Sequence, residues 1–155
     1  MNFSLYNEEL FSFISSSPTP YHVVANLEEN LLQQGFIRLE ENSRWLLEKK
    51  QGYFVSKENG AIIAFILGRE EEHEQGFRLL AAHTDSPCLQ IKPHADIRTG
   101  SYLQLGVEVY GGSLLSPWFD RDLSLAGRAC CRKRNGDLGV LLVDFRRSLL
   151  TIPNI

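Results

Sequence analysis

The sequence predicts a mixed α/β fold that becomes strand-rich past Pro93, and three observations predict it. Between Asn7 and Leu32 the apolar residues recur every three or four positions, the period of a helix with one buried face. From Phe36 onward they gather instead in short runs separated by turn-forming residues, as strands do. After Cys88 nearly every apolar run is of the second kind, so a boundary is expected near Pro93, dividing the chain into residues 1–93 and 94–155.

The elements follow in order. A first short helix is expected over Asn7–Ser15, with Leu10, Phe11, Phe13 and Ile14 on its apolar side and SSSPTP to stop it. Thr19 followed by Pro20 starts a second, with a hydroxyl to cap the first turn and a proline whose fixed φ suits it. Val23, Val24, Leu27, Leu31 and Leu32 line its buried face, and Gly35 is placed to end it in a left-handed conformation. Strands are expected at Phe36–Leu39, Tyr53–Val55 and Ala61–Leu67, with KENG (57–60) as a hairpin turn between the last two. The polar stretch REEEHEQG (69–76), which carries His73, reads as a solvated loop. FRLLAA (77–82) reads as an interior strand leading into HTDSP. Further strands are expected at Cys88–Lys92, Tyr102–Val109, Leu123–Arg132 and Val140–Phe145, the last pair joined at Asn135-Gly136, a two-residue hairpin signal. The final SLLTIPNI is apolar and has no polar tail, as if the chain stopped within a fold.

Composition excludes several classes. Of 155 residues, 43% are apolar and 23% charged, which is a globular balance. Sixteen basic and 19 acidic side chains give a net charge of −3, so no field draws nucleic acid or an anionic membrane. No apolar run approaches the roughly 20 residues that span a bilayer. The opening MNFSLYNEEL lacks the basic start and apolar core of a secretory signal, and Glu8 and Glu9 argue against a presequence, so a cytoplasmic location is expected. Cys88 stands alone, and adjacent Cys130 and Cys131 would face opposite sides of a strand. All three are expected to be small, buried or half-buried thiols in a reducing compartment.

HTDSP is the sharpest chemical feature. In an extended segment His83 and Asp85 project to the same side, at the carboxyl end of an interior strand, where open α/β folds bind ligands. Asp85 can orient a metal-bound His83 by accepting its second ring proton. The two can equally belong to a proton-transfer pair with a nucleophile elsewhere, or form a histidine held by a carboxylate with no further role. Pro87 stiffens the exit. Among the other histidines, His22 lies in a helical first turn, where packing or a cap contact is expected, and His94 lies in a presumed connection. No HExxH, GxSxG or phosphate-cradling loop is present. A catalytic zinc takes about three protein ligands and keeps an open position, so His83 cannot form such a site unaided. YGG (110–112) reads as a tight bend or bulge. WFDRD (118–122) reads as a corner in which flanking carboxylates hold Arg121, or as a substrate-facing or interface surface. CRKRNGD (131–137) is a basic hairpin tip that favours solubility.

Taken together, SPTPYHVVANLEENLLQQGF, AIIAFILG, LLAAHTDSPCLQIKP, LQLGVEVYGGSLLSPWFDRDLSLAGR and IPNI resemble, in order and spacing, the aspartyl aminopeptidase family of zinc metallopeptidases. The resemblance implies an α/β zinc-exopeptidase-like domain interrupted by a strand-rich inserted dimerisation domain, and the boundary near Pro93 agrees with where the insertion would begin. It implies that His83 binds one of two catalytic zinc ions and that Asp85 is the catalytic supporting residue beside it. Cobalt or manganese are the alternative metals, since one histidine does not discriminate among them. It implies peptide substrates trimmed from the N-terminus, Asp or Glu by the family's name, and a homo-oligomer assembled through the inserted domain. A bridging carboxylate, a glutamate general base, further carboxylates and a late histidine would all lie past Ile155, and a histidine of the inserted domain would come just after IPNI. KENG departs from the family's arginine-asparagine pattern, and His94 after Lys92-Pro93 matches no ligand. The chain is therefore expected to be an incomplete, inactive N-terminal part of a metalloaminopeptidase. The alternatives are a non-catalytic fragment or oligomerisation module, and a Ser- or Cys-based hydrolase using His83 and Asp85, which chelation would leave active.

Overall fold

The structure is a computed structural model that describes residues 3–68 and 76–154. The expected loop carrying His73 falls almost wholly outside the described residues. Two units emerge from the contacts: Met1–Thr84 with Ala126–Asp144, and Asp85–Leu125 with Phe145–Ile155.

In the first unit α1 spans Phe3–Ser16, beginning four residues before the apolar periodicity at Asn7. Ser17 N–H bonds the Ile14 carbonyl at 3.1 Å, and Pro18 cannot continue the ladder. Helix α2 spans Pro20–Gln33. Thr19 is its extended N-cap residue, but its hydroxyl makes no cap bond to the backbone; it pairs with His22 Nδ1 at 2.8 Å. His22 therefore serves the helix start. The far end is a Schellman motif, as Gly35 predicts: Gly35 has φ +82°, its N–H bonds the Leu32 carbonyl, and Phe36 N–H bonds that of Leu31. The Asn26 amide donates to the Ser16 carbonyl at 3.0 Å and to Ser17 Oγ at 2.9 Å, which ties the two helices.

The sheet of this unit has the order β1-β2-β3. β1 (Ile37–Arg38) runs parallel to β2 (Gly52–Lys57), which pairs antiparallel with β3 (Ala61–Ile66). KENG forms the turn: Gly60 N–H bonds the Lys57 carbonyl at 3.0 Å, and Glu58 and Asn59 both take left-handed φ of 50° and 56°. That primed geometry matches strand twist. The core lies where α2 meets this sheet: Val24, Tyr53 and Phe54 are all buried. A Cβ on Gly52 would sit 2.7 Å from the Phe36 ring, so glycine permits the close approach.

The same unit holds the hairpin β6 (Ala126–Arg132) and β7 (Leu138–Asp144), paired in register over seven residues each. Arg128 stacks over the Tyr21 ring at 4.3 Å and donates to the Glu58 carbonyl at 3.0 Å, fastening the hairpin to the start of α2 and to the KENG turn. The Asn135-Gly136 turn differs from the two-residue expectation. Lys133 N–H bonds the Asp137 carbonyl, Gly136 N–H bonds that of Lys133, and Gly136 takes φ +92°. This is a three-residue loop with a glycine bulge. Leu123 and Leu150 form only an isolated bridge, so β6 is shorter than the expected Leu123–Arg132.

FRLLAA departs most from expectation. It forms no strand, and Phe77, Leu79 and Leu80 are 99%, 86% and 99% exposed. An interior strand requires ladder partners on both sides, and none of the described residues pairs with this segment.

The second unit is built on β4 (Cys88–Thr99) and β5 (Tyr102–Tyr110), an antiparallel pair. The expected strand Cys88–Lys92 runs on to Thr99 through a bulge: Ile91 faces Val107 and Asp96 faces Leu105, so residues 92–95 bow out opposite Gly106. Pro93 lies in the bulge, where its missing N–H costs no ladder bond. Past β5 the chain bends at Gly111, φ +69°. WFDRD forms a clasp. Asp120 N–H bonds the Ile152 carbonyl, Asp120 Oδ1 accepts Asn154 N–H at 2.9 Å, and Asp122 Oδ2 accepts the Ser148 hydroxyl at 3.0 Å. Arg121 donates to the Pro117 carbonyl at 3.3 Å, so a backbone oxygen holds it in place of the expected carboxylates. Those carboxylates are already bonded to the 148–154 segment. Among the described residues no helix is long and apolar enough to cross a membrane.

Candidate functional site

His83 lies just after FRLLAA, outside any helix or strand, and its side chain is exposed. Its neighbour Thr84 donates from Oγ1 to the Gly60 carbonyl at 3.0 Å, which anchors the end of the first unit to the KENG turn. Asp85 opens the second unit and is half-buried. The Tyr110 hydroxyl donates to Asp85 Oδ2 at 2.9 Å. The β4–β5 register explains the reach: Tyr110 faces Cys88, and the phenol extends back along the chain towards Asp85. Gly111 then turns beside Pro87, with its Cβ position 3.6 Å from the Pro87 Cα. Cys88 completes this cluster. Burial, and after it the negative charge of Asp85, push its thiol above the usual range.

His94 sits in the β4 bulge, beside an open depression lined by Lys92, Asp96 and Leu105 among others. Cys130 and Cys131 are exposed on β6. Among the described residues no group of three or more His, Cys, Asp or Glu side chains could hold a metal ion. A zinc ion takes three or four nitrogen, sulfur or oxygen ligands. An exposed imidazole and a carboxylate are donor types that such a site uses, and they are fewer than it needs.

Tyr110 is the residue that sequence reasoning passed over. Its motif drew attention for the two glycines, and nothing local to it indicates Asp85; only the pairing of Cys88 with Tyr110 brings the two together.

A model described as aminopeptidase I zinc metalloprotease (M18) matches residues 13–155, and the chain belongs to that family. It is 50% identical over 149 residues to a probable M18 family aminopeptidase 2 of Pseudomonas paraeruginosa, a match covering 96% of this chain and 34% of that protein. It is similar to the crystal structure of yeast aminopeptidase 1 (Ape1), with TM-score 0.92 and 31% identity over 99% of this chain and 37% of that one. The yeast mApe1 dodecamer gives TM-score 0.92 and 30% identity, covering 100% and 37%. The chain thus spans about a third of the length of the relatives it matches.

Proposed function

We propose that the protein carrying this chain is a cytoplasmic, zinc-dependent aminopeptidase that releases N-terminal residues, Asp or Glu among them, from peptides. The supporting observation is the family match over residues 13–155, which includes HTDSP. In this reading neutral His83 is a ligand of one of two zinc ions, and Asp85 is its orienting partner, fixing tautomer and ring direction. The bound metal supplies Lewis-acid polarisation and an activated water. The chain spans 34% of its Pseudomonas relative, and in this reading the remaining ligands and the general base lie in the part it does not span, without which it is inactive. Residues 1–93 form the start of the peptidase domain and 94–155 the start of an inserted, strand-rich dimerisation domain. The mApe1 dodecamer supports assembly into a homo-oligomer.

The test is metal analysis and peptidase assay of the full-length protein carrying His83→Ala. The reading predicts loss of bound zinc and a fall in kcat/KM larger than the roughly 10–100-fold typical of an outer partner. Unchanged zinc content and activity would remove His83 from the site.

A further inference from the structure

We infer that Tyr110 is the positioning residue of Asp85: its phenol, set by the β4–β5 ladder, holds the carboxylate in the orientation the metal site needs. The inference rests on the proposed reading of His83 and Asp85 and adds to it a residue outside HTDSP.

An aspartate turns about two side-chain torsions, whereas an outer-shell acceptor works only when held within about 10–20° of its productive direction. Asp85 lies three residues before β4 begins at Cys88. The Tyr110 hydroxyl reaches it at 2.9 Å. Tyr110 is itself fixed on both sides, since it ends β5 in register with Cys88 and the Gly111 bend follows against Pro87. A phenol on two torsions is a rigid lever, which makes it a suitable orienting donor. A phenol at neutral pH donates, so the carboxylate remains the acceptor, and with about four lone-pair sites it is not exhausted by one bond. The geometry therefore gives Tyr110 a duty that the glycines beside it do not explain.

The alternative is that the bond merely tacks the end of β5 to the segment before β4. A double-mutant cycle on the full-length enzyme separates the two: Tyr110→Phe, Asp85→Asn and the double variant. Zinc affinity is read by competition with a chelator, kcat and KM are measured separately, and the thermal midpoint is taken without metal. Tyr110→Phe keeps the ring of a side chain already 42% exposed, so it opens no cavity. The expected result is a loss of about 3–10-fold in zinc affinity and in kcat with KM nearly unchanged, below the roughly 10–100-fold expected for Asp85→Asn. The double variant is expected to match Asp85→Asn within about 2-fold, because a positioning residue of Asp85 has no metal-site effect once that carboxylate is gone. Tyr110→Phe with wild-type zinc affinity and kcat overturns the inference while leaving His83 and Asp85 in place. So does a Tyr110→Phe effect that persists undiminished in the Asp85→Asn background. If Asp85→Asn itself changes neither quantity, the reading of the site fails and this inference with it.

Discussion

Two apolar runs of similar length in the first unit meet opposite fates. GYFVSK becomes β2, with β1 on one side, β3 on the other and α2 across its face, and Tyr53 and Phe54 are 2% and 0% exposed. FRLLAA carries as much hydrocarbon, yet Phe77 and Leu80 stand 99% exposed and no strand forms. The difference lies in the neighbours and not in the runs themselves. A strand is stabilised by ladder bonds and a covering layer, and for β2 both come from nearby chain, between Pro20 of α2 and Ile66 of β3. For FRLLAA neither is found among the described residues. Burying a side chain such as Phe or Leu contributes about 1.5–3 kcal/mol. Phe77, Leu79 and Leu80 together therefore leave several kcal/mol unrealised, a large part of the roughly 5–15 kcal/mol by which a whole domain is stable. The chain spans 34% of its Pseudomonas relative, and the lost burial is proposed to be recovered in the longer protein.

In the 155-residue chain Phe54→Ala is expected to cost about 3–5 kcal/mol, while Leu80→Ala stays within about 0.5 kcal/mol. In the full-length protein Leu80→Ala is expected to rise to about 2–5 kcal/mol, as denaturant titration of both lengths would show. Equal, small costs for Leu80→Ala at both lengths would mean that nothing covers FRLLAA. Gly52→Ala places a Cβ 2.7 Å from the Phe36 ring and is expected to cost about 1–3 kcal/mol, read as a shift of the unfolding midpoint at unchanged slope.

The smallest expected effect is chemical. Cys88 is half-buried and its thiol is raised by burial and then by the Asp85 charge, whereas Cys130 and Cys131 are exposed. A raised pKa means less thiolate at a given pH below it, so Cys88 should be alkylated more slowly than the other two at pH 8. Asp85→Asn removes the second cause and leaves the first, so it should speed alkylation of Cys88 without bringing it level. Mass spectrometry of the labelled peptides checks both statements.

Legibility followed the range of the interactions. The end of α2 could be read because Gly35 and its partners Leu31 and Leu32 lie within five residues. The KENG turn could be read for the same reason, although Glu58 takes a left-handed φ that favours Asn or Gly. The Asn135-Gly136 signal located a turn correctly and misjudged its length, since Gly136 bulges instead of pairing. Arg121 sits between two acids, but those acids bond residues 26 and 34 positions away, beyond any local pattern. At HTDSP the residue types and spacing pointed to chemistry, while the role of each needed the family resemblance. Tyr110 was invisible for the reason Arg121 was misassigned: its partner is 25 positions away and is fixed by strand register.

The proposed function requires a metal ion at the His83 imidazole. The direct measurement is anomalous scattering at the zinc edge from crystals of the full-length protein. A peak is expected within bonding range of a His83 ring nitrogen, about 2.0–2.1 Å. A fully occupied zinc site whose ligands exclude His83 would contradict it.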